Sequence, residues 1–328
     1  MYQIMSEPYI CKNPVLLLFF NRLDTLTQTL SQLAKVKPPR MYLAGDGARN
    51  EEEHNRIKAI REFLLQNITW ECEIHTRFLD YNLGCKMAVS SSITWFFSCE
   101  SQGIILEDDC LPNISFFRFC DELLEKYKMQ QKVFMISGWS ALDFAQNPSV
   151  ETLSPKAQLQ EDYYFSKYNH IWGWASWSRA WQNYQLELDT NEFKILNNFC
   201  SKNEKNKWYK IIKNYAQGKI DTWDYPWTYS IWKANGLCIY PKANMILNIG
   251  LNRADATHTT GDSKFASMPT YELSFPLKHP TIINQNKDID KVNFKIIFDV
   301  TPIYKRLYSK CKKFLIKLTC KTKRKEQL

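Results

Sequence analysis

The sequence predicts an α/β protein: a mostly parallel sheet with helices on both faces, an abutting Trp-rich lobe, and a basic C-terminal helical tail. Three observations carry that expectation. Up to residue 137, short apolar runs alternate with stretches of helical period. Eight of the 11 Trp then fall between Trp172 and Trp232. Last, residues 301–328 hold ten Lys or Arg against one acid, so a chain of net charge +9 has a formally neutral body.

Taken in order, Val15–Phe20 reads as a strand, Asp24–Lys35 as a helix, Met41–Ala44 as a strand and Glu51–Gln66 as a helix. A strand at Glu73–Phe78, a helix at Lys86–Phe97, a strand at Ile104–Leu106 and a helix at Ser115–Lys128 follow. Strands this short and apolar, separated by amphipathic helices, belong to a parallel sheet buried on both faces. Ligands of such sheets bind beyond the carboxyl ends of the strands. Pro148–Gln160 is polar and reads as a loop, and from Phe294 apolar and basic residues recur at helical spacing. The domain boundaries expected are 1–137, 138–293 and 294–328.

With 45% hydrophobic residues the 328-residue chain can offset the entropy of ordering, which excludes disorder for most of it. No apolar run approaches the roughly 18 to 20 residues of a membrane helix, and Met1–Cys11 lacks the basic start and apolar stretch of a leader. A cytoplasmic protein is expected. The neutral body argues against nucleic acid as a partner, because a nucleic-acid face makes the folded part basic. Ten scattered cysteines without paired spacing read as reduced thiols.

The strand ends then supply the chemistry. Ile104–Leu106 runs straight into Glu107, Asp108 and Asp109. An oxygen-rich set suits a hard cation, Mn2+ or Mg2+, bridging carboxylates and substrate phosphates, although a solvated acidic turn before the next helix has the same sequence. Asp46, between Gly45 and Gly47, stands where glycine lets backbone approach a ligand, and Asp-Gly is also ordinary turn chemistry. Arg22, Arg49 and Lys86 are phosphate candidates of low specificity, and His258 is a candidate ligand for the same cation. Asp221 and Asp224 sit among aromatic residues, where a carboxylate can act as a general base towards a hydroxyl; capping of the following helix accounts for Asp224 equally well. Trp174, Trp223 and Trp227 are candidate sugar-stacking faces, with core packing as the alternative for such spacing. Neither a Gly-rich dinucleotide fingerprint nor a Walker loop is present.

In that order along residues 14–262, Pro14–Arg22, Gly45–Asp46–Gly47, Asn82–Leu83–Gly84, Leu106–Asp109, Gly173–Trp177, Trp223–Asp224 and His258 resemble nucleotide-sugar glycosyltransferases of the GT-A fold. The similarity is to the N-acetylglucosaminyltransferase I-like group and its bacterial surface-polysaccharide relatives. The resemblance implies a Rossmann-like nucleotide-sugar-binding part at 1–137 and an acceptor-binding, catalytic part at 138–293. It implies Asp109 as metal ligand, joined more loosely by His258, with Glu107 and Asp108 helping to hold the donor. Phe20, Asn21, Arg22 and Asp46 would line the nucleotide cleft. Asp224 would be the base, with Asp221 its rival because Asp-Tyr-Pro-Trp replaces the eukaryotic pair of acids. Trp174, Trp223 and Trp227 would face the acceptor. The activity implied is transfer, with inversion, from a nucleotide-sugar, a UDP-sugar first, to a hydroxyl of a glycan or lipid-linked acceptor in surface-polysaccharide synthesis such as that of lipopolysaccharide or capsule. The basic tail suits peripheral attachment to an anionic inner-membrane surface. A sugar-nucleotide nucleotidyltransferase and a non-catalytic glycan- or membrane-binding protein are the competing classes.

Overall fold

The structure, a computed structural model, describes residues 8–142, 159–189, 195, 199, 201–255 and 263–298. β1 (Val15–Phe19) is apolar and buried throughout. α1 (Leu23–Val36) follows and stops where Lys37 turns left-handed, its N–H donating to the Leu33 carbonyl. β2 (Arg40–Gly45) leads to α2 (Glu51–Asn67), which begins where the Asn50 side chain accepts from the Glu53 N–H. β3 (Glu73–Phe78), α3 (Gly84–Cys99), β4 (Gln102–Glu107), β5 (Cys110–Pro112), α4 (Ile114–Tyr127) and β6 (Val133–Ser137) complete the first half. The expected elements are therefore present, extended by one to two residues at several ends.

The second half adds β7 (Tyr163–Ser166), β8 (Trp174–Trp177), a single turn α5 (Ser178–Trp181), α6 (Lys202–Ala216), α7 (Asp224–Lys233), β9 (Leu237–Pro241), β10 (Ile246–Asn248) and α8 (Lys287–Phe298). Eight strands form one sheet in the order β3-β2-β1-β4-β8-β6-β9-β7. β1 pairs in parallel with β2 and β4, β2 with β3, and β6 with β9, whereas β8 and β7 run antiparallel to their neighbours. An α/β fold with a mostly parallel sheet is what the sequence predicts. The expected boundary at residue 137 falls inside this sheet, because β8 inserts between β4 and β6, so one core runs through both halves. α8 likewise starts at Lys287 and buries Phe294, crossing the boundary expected at 294. Most of the Pro148–Gln160 segment and the tail beyond residue 298 lie outside the described residues. No helix among those described is long and apolar enough to cross a membrane.

Most of the second-half tryptophans fill this core. Trp174 and Trp227 are fully buried and Trp223 is 2% exposed. Trp174 stacks on Trp223 with centroids 5.9 Å apart, and Trp181 lies 5.0 Å from Trp227 and 4.2 Å from Tyr184. The expectation that these three rings face an acceptor is corrected here: their faces are occupied by one another, which follows from the large apolar area an aromatic ring buries. The Trp181 indole N–H donates to Thr94 on α3, tying the cluster to the first half.

Candidate active site

Because β1, β2, β3 and β4 are parallel, their carboxyl ends share one edge. Phe20–Arg22 follow β1, Asp46 follows β2, and β4 ends on Glu107 before Asp108 and Asp109. Leu18 pairs with Glu107 and Phe19 with Gly45, so these termini are in register.

The three acids face different partners. Asp108 is buried and turns inward, with Oδ2 accepting the Phe20 N–H at 3.2 Å, while its carbonyl accepts from the Thr29 hydroxyl. Asp109 lies beneath the small sheet of β5 and β10, where Asn248 pairs with Cys110 and the Ile249 N–H reaches the Asp109 carbonyl. Its carboxylate is 3.5 Å from Arg22 Nη1 and 3.5 Å from Asn248 Nδ2. A Cβ on Gly250 would stand 2.0 Å from Asp109 Oδ2, so this approach demands glycine. Glu107 is the least satisfied: its Oε1 is buried without a hydrogen-bond partner among the described residues.

Burial, then the charges of Asp109 and Asp108, hold the Glu107 carboxyl well above the usual carboxylate range. Burial and Asp109 push Asp108 up to about 7. Burial raises Asp109 too, against the favourable Arg22 guanidinium. Crowded buried carboxylates with one of their oxygens orphaned fit a cation in composition. No ready-made cage of three or more His, Cys, Asp or Glu exists among the described residues. Ions of the Mg2+ kind take one or two carboxylates and complete their shell with substrate oxygens and water, which is compatible with the carboxylates present. His258 lies outside the described residues.

The second half approaches these acids at the start of α7. Asp224 occupies its first turn and accepts from the Thr222 hydroxyl, so it lies inside the helix and not at its cap. Burial pushes the Cys85 thiol on α3 up to about 12, reinforced by the charges of Glu107, Asp224, Asp221 and Asp46. The charge of Asp224 also raises the Glu107 carboxyl. Asp221 is exposed, whereas Asp224 is half-buried.

Other expected residues have their groups engaged within the protein. Asp46 accepts from the Gly47 and Leu83 N–H groups on Oδ1 and from Asn82 Nδ2 and the Gly84 N–H on Oδ2. Those four bonds fill the acceptor sites of a carboxylate, so Asp46 clamps the loop that starts α3 instead of offering oxygen to a ribose. Arg49 donates to Glu53 through Nε and Nη2 and covers the Phe20 ring at 5.2 Å. Asn21 Nδ2 donates to the same Glu53 at 2.7 Å. Lys86 lies over the Tyr215 ring at 4.6 Å. Sequence reasoning passed over Glu53, whose signal was the Asn50-x-x-Glu53 spacing of a helix start, and over Asn248, Gly250, Arg253 and Asp255, which carry no local signal.

No family model matches the chain, and no curated protein matches it. Among solved structures it is similar to a mannosyltransferase from Pyrobaculum calidifontis in complex with GDP-Man and Mn2+, at 11% identity and TM-score 0.33 over 51% of this chain and 45% of that one. It is similar to mouse xyloside xylosyltransferase 1 in its apo form, at 11% identity and TM-score 0.29 over 52% and 68% of the two chains. It is also similar to 4-diphosphocytidyl-2C-methyl-D-erythritol synthase from Anaerococcus prevotii DSM 20548, at 10% identity and TM-score 0.31 over 71% and 98%. The chain spans less than half the length of the mannosyltransferase. Likenesses this distant assign no residue and no reaction. The chain's own strand order and acid cluster define it as an α/β protein with a carboxylate-rich site at the carboxyl edge of its parallel strands.

Proposed function

We propose that the protein is a metal-dependent glycosyltransferase that moves a sugar from a nucleotide-sugar to a hydroxyl of a glycan or lipid-linked acceptor, with inversion. The observation that carries this reading is the acid cluster at the end of β4, with a buried Glu107 oxygen that has no partner among the described residues. Asp109 would hold the cation, whose chemistry when bound is to neutralise charge on a departing diphosphate. Arg22, beside it, supplies a forked donor set suited to phosphate oxygens. Asp224 takes the proton of the acceptor hydroxyl, that oxygen forms a bond to the anomeric carbon, and the bond to the nucleotide diphosphate breaks with its electron pair. Glu107, with one oxygen that has no partner among the described residues, helps to hold the donor sugar. Asp46 and Glu53 act indirectly, fixing the two loops that border the cleft.

The test is a donor screen: purified protein with Mn2+ and a panel of UDP-, GDP-, CMP- and dTDP-sugars, read by thermal shift and slow donor hydrolysis, with Asp109→Ala alongside. One donor should stabilise the wild type only with metal, and Asp109→Ala should lose about a hundredfold or more of the hydrolysis. No response to any donor would sink the reading; release of pyrophosphate from a nucleoside triphosphate and a sugar phosphate would move it to nucleotidyl transfer. Product NMR showing retention would overturn inversion.

The proposal extends to the cell: a role in bacterial surface-polysaccharide synthesis, in the cytoplasm against the inner membrane. The basic run of residues 301–328 supports it, since anionic headgroups attract such segments by about 1 kcal/mol per Lys or Arg. Flotation with anionic liposomes should be lost on deleting 301–328, and equal flotation of both forms would refute attachment through the tail.

A further inference from the structure

Arg22 follows β1 as the residue that precedes α1, yet its side chain makes no cap to that helix. It reaches across to the acid cluster, with Nη1 at 3.5 Å from Asp109 Oδ2, and both side chains are only 15% exposed. Its other end is held from the far half of the sequence. Arg22 Nη2 donates to the Asp255 carbonyl at 2.7 Å, and Nε lies 3.5 Å from the Asp255 carboxylate. Asp255 is held in turn by Arg253, whose Nε and Nη2 donate to its two carboxylate oxygens at 2.8 and 3.1 Å. Arg253 is anchored on α1 by Asp24, at 2.6 Å. The result is a chain of alternating charge, Asp109–Arg22–Asp255–Arg253–Asp24, closed over the segment that leaves β10.

Asp109 is thus the proposed cation ligand and at the same time the partner of an internal cation. A guanidinium and a divalent ion directed at the same oxygen of one partly buried carboxylate repel each other, so Asp109 Oδ2 serves one or the other. We propose that Arg22 is a built-in competitor for the cation position at Asp109: a divalent cation enters by displacing the guanidinium, which is thereby freed for a phosphoryl anion, and Arg253 is the positioning residue that holds Arg22 in the closed arrangement. Metal and phosphoryl anion are then bound cooperatively, and metal alone is bound weakly. The inference deepens the function proposed above and rests on its reading of Asp109.

The experiment titrates Mn2+ alone against the full chain, following the free Mn2+ signal by electron paramagnetic resonance, for wild type, Asp109→Asn, Arg22→Gln and Arg253→Gln, each checked for fold by circular dichroism. Arg22→Gln should bind Mn2+ alone about tenfold or more tightly than wild type. Arg253→Gln should shift in the same direction by a smaller factor, and Asp109→Asn should lose binding. A residue with a merely structural role would weaken the site when removed, so a gain in affinity is the discriminating sign. If wild-type binding depends on Asp109 but Arg22→Gln and Arg253→Gln bind Mn2+ equally or more weakly, the competition is refuted while the metal reading stands. If Asp109→Asn leaves Mn2+ binding unchanged, the reading of Asp109 and this inference fall together.

Discussion

At the base of the second half, Asp290 is 3% exposed and accepts from the Ser166 hydroxyl, the Lys167 N–H and Gln285 Nε2, while Glu204, 5% exposed, pairs with Lys167 Nζ at 2.5 Å and accepts from the Tyr168 hydroxyl. At the end of β4 the chain holds one buried and two partly buried acids with far less to offset them. Asp108 has one N–H, Asp109 has contacts at 3.5 Å, and Glu107 Oε1 has no partner among the described residues. A buried carboxylate with full partners ties elements together; three crowded ones without them are tolerated where a ligand completes the set. The first group locks β7 to α6 and α8, and the second is the site to which the function proposed above is assigned.

The largest test of this contrast is Lys167→Ala. It removes the Lys167 ammonium from the buried pair with Glu204, and removing one member of a buried pair costs about 3 to 5 kcal/mol. A lowered urea midpoint at unchanged slope is the expected result. Stability within about 1 kcal/mol of wild type would mean that Glu204 does not depend on the Lys167 ammonium.

Glu107→Gln should move the other way. It keeps the shape of the side chain and removes a charge that repels Asp108 and Asp109, so the metal-free protein should gain about 1 to 2 kcal/mol while losing metal-dependent donor binding. Because the folded carboxyl is raised, its penalty is absent well below the usual glutamate range and grows as pH rises. The variant's advantage should therefore widen from acid to neutral pH. A destabilised Glu107→Gln would show that the carboxylate has structural partners after all and would erase the contrast.

How far the sequence reached follows the same physics. The strands of the first half were legible because each is a short apolar run bounded by polar residues, and the acids of β4 were legible because they end such a run. The insertion of β8 between β4 and β6 was not, since antiparallel entry into a parallel sheet leaves no periodic mark. Composition gave Trp174, Trp223 and Trp227 as aromatic but could not say whether a ring face meets a sugar or another ring. Asp46 was visible as a turn acid, yet its saturation depends on Leu83 and Gly84 arriving from the loop after β3. The surroundings of Asp109 come from Asn248, 139 residues on, and Arg22 meets Asp255 across 233 residues. Such contacts are set by strand register, which local pattern does not encode.

Glu53 gives the smallest and sharpest version of the comparison, because it is a well-partnered acid at the rim of the same cleft. Hydrogen bonding by Arg49, then by the Arg49 N–H and Asn21, draws its carboxyl down to about 2. A lowered folded value means that the unfolded chain binds the proton more readily. The stabilisation is therefore present above the usual glutamate value of 4.5 and lost as pH falls towards about 2. Arg49 is 55% exposed, so solvent screening limits the effect of Glu53→Gln to about 1 kcal/mol at neutral pH. The gap between wild type and variant, measured by urea denaturation from pH 7 to pH 2.5, should close with acid, whereas the gap for Glu107→Gln should open with base. Parallel pH profiles for the two variants would mean that both acids are equally well partnered, and the distinction between a structural and a ligand-seeking carboxylate would not hold at this site.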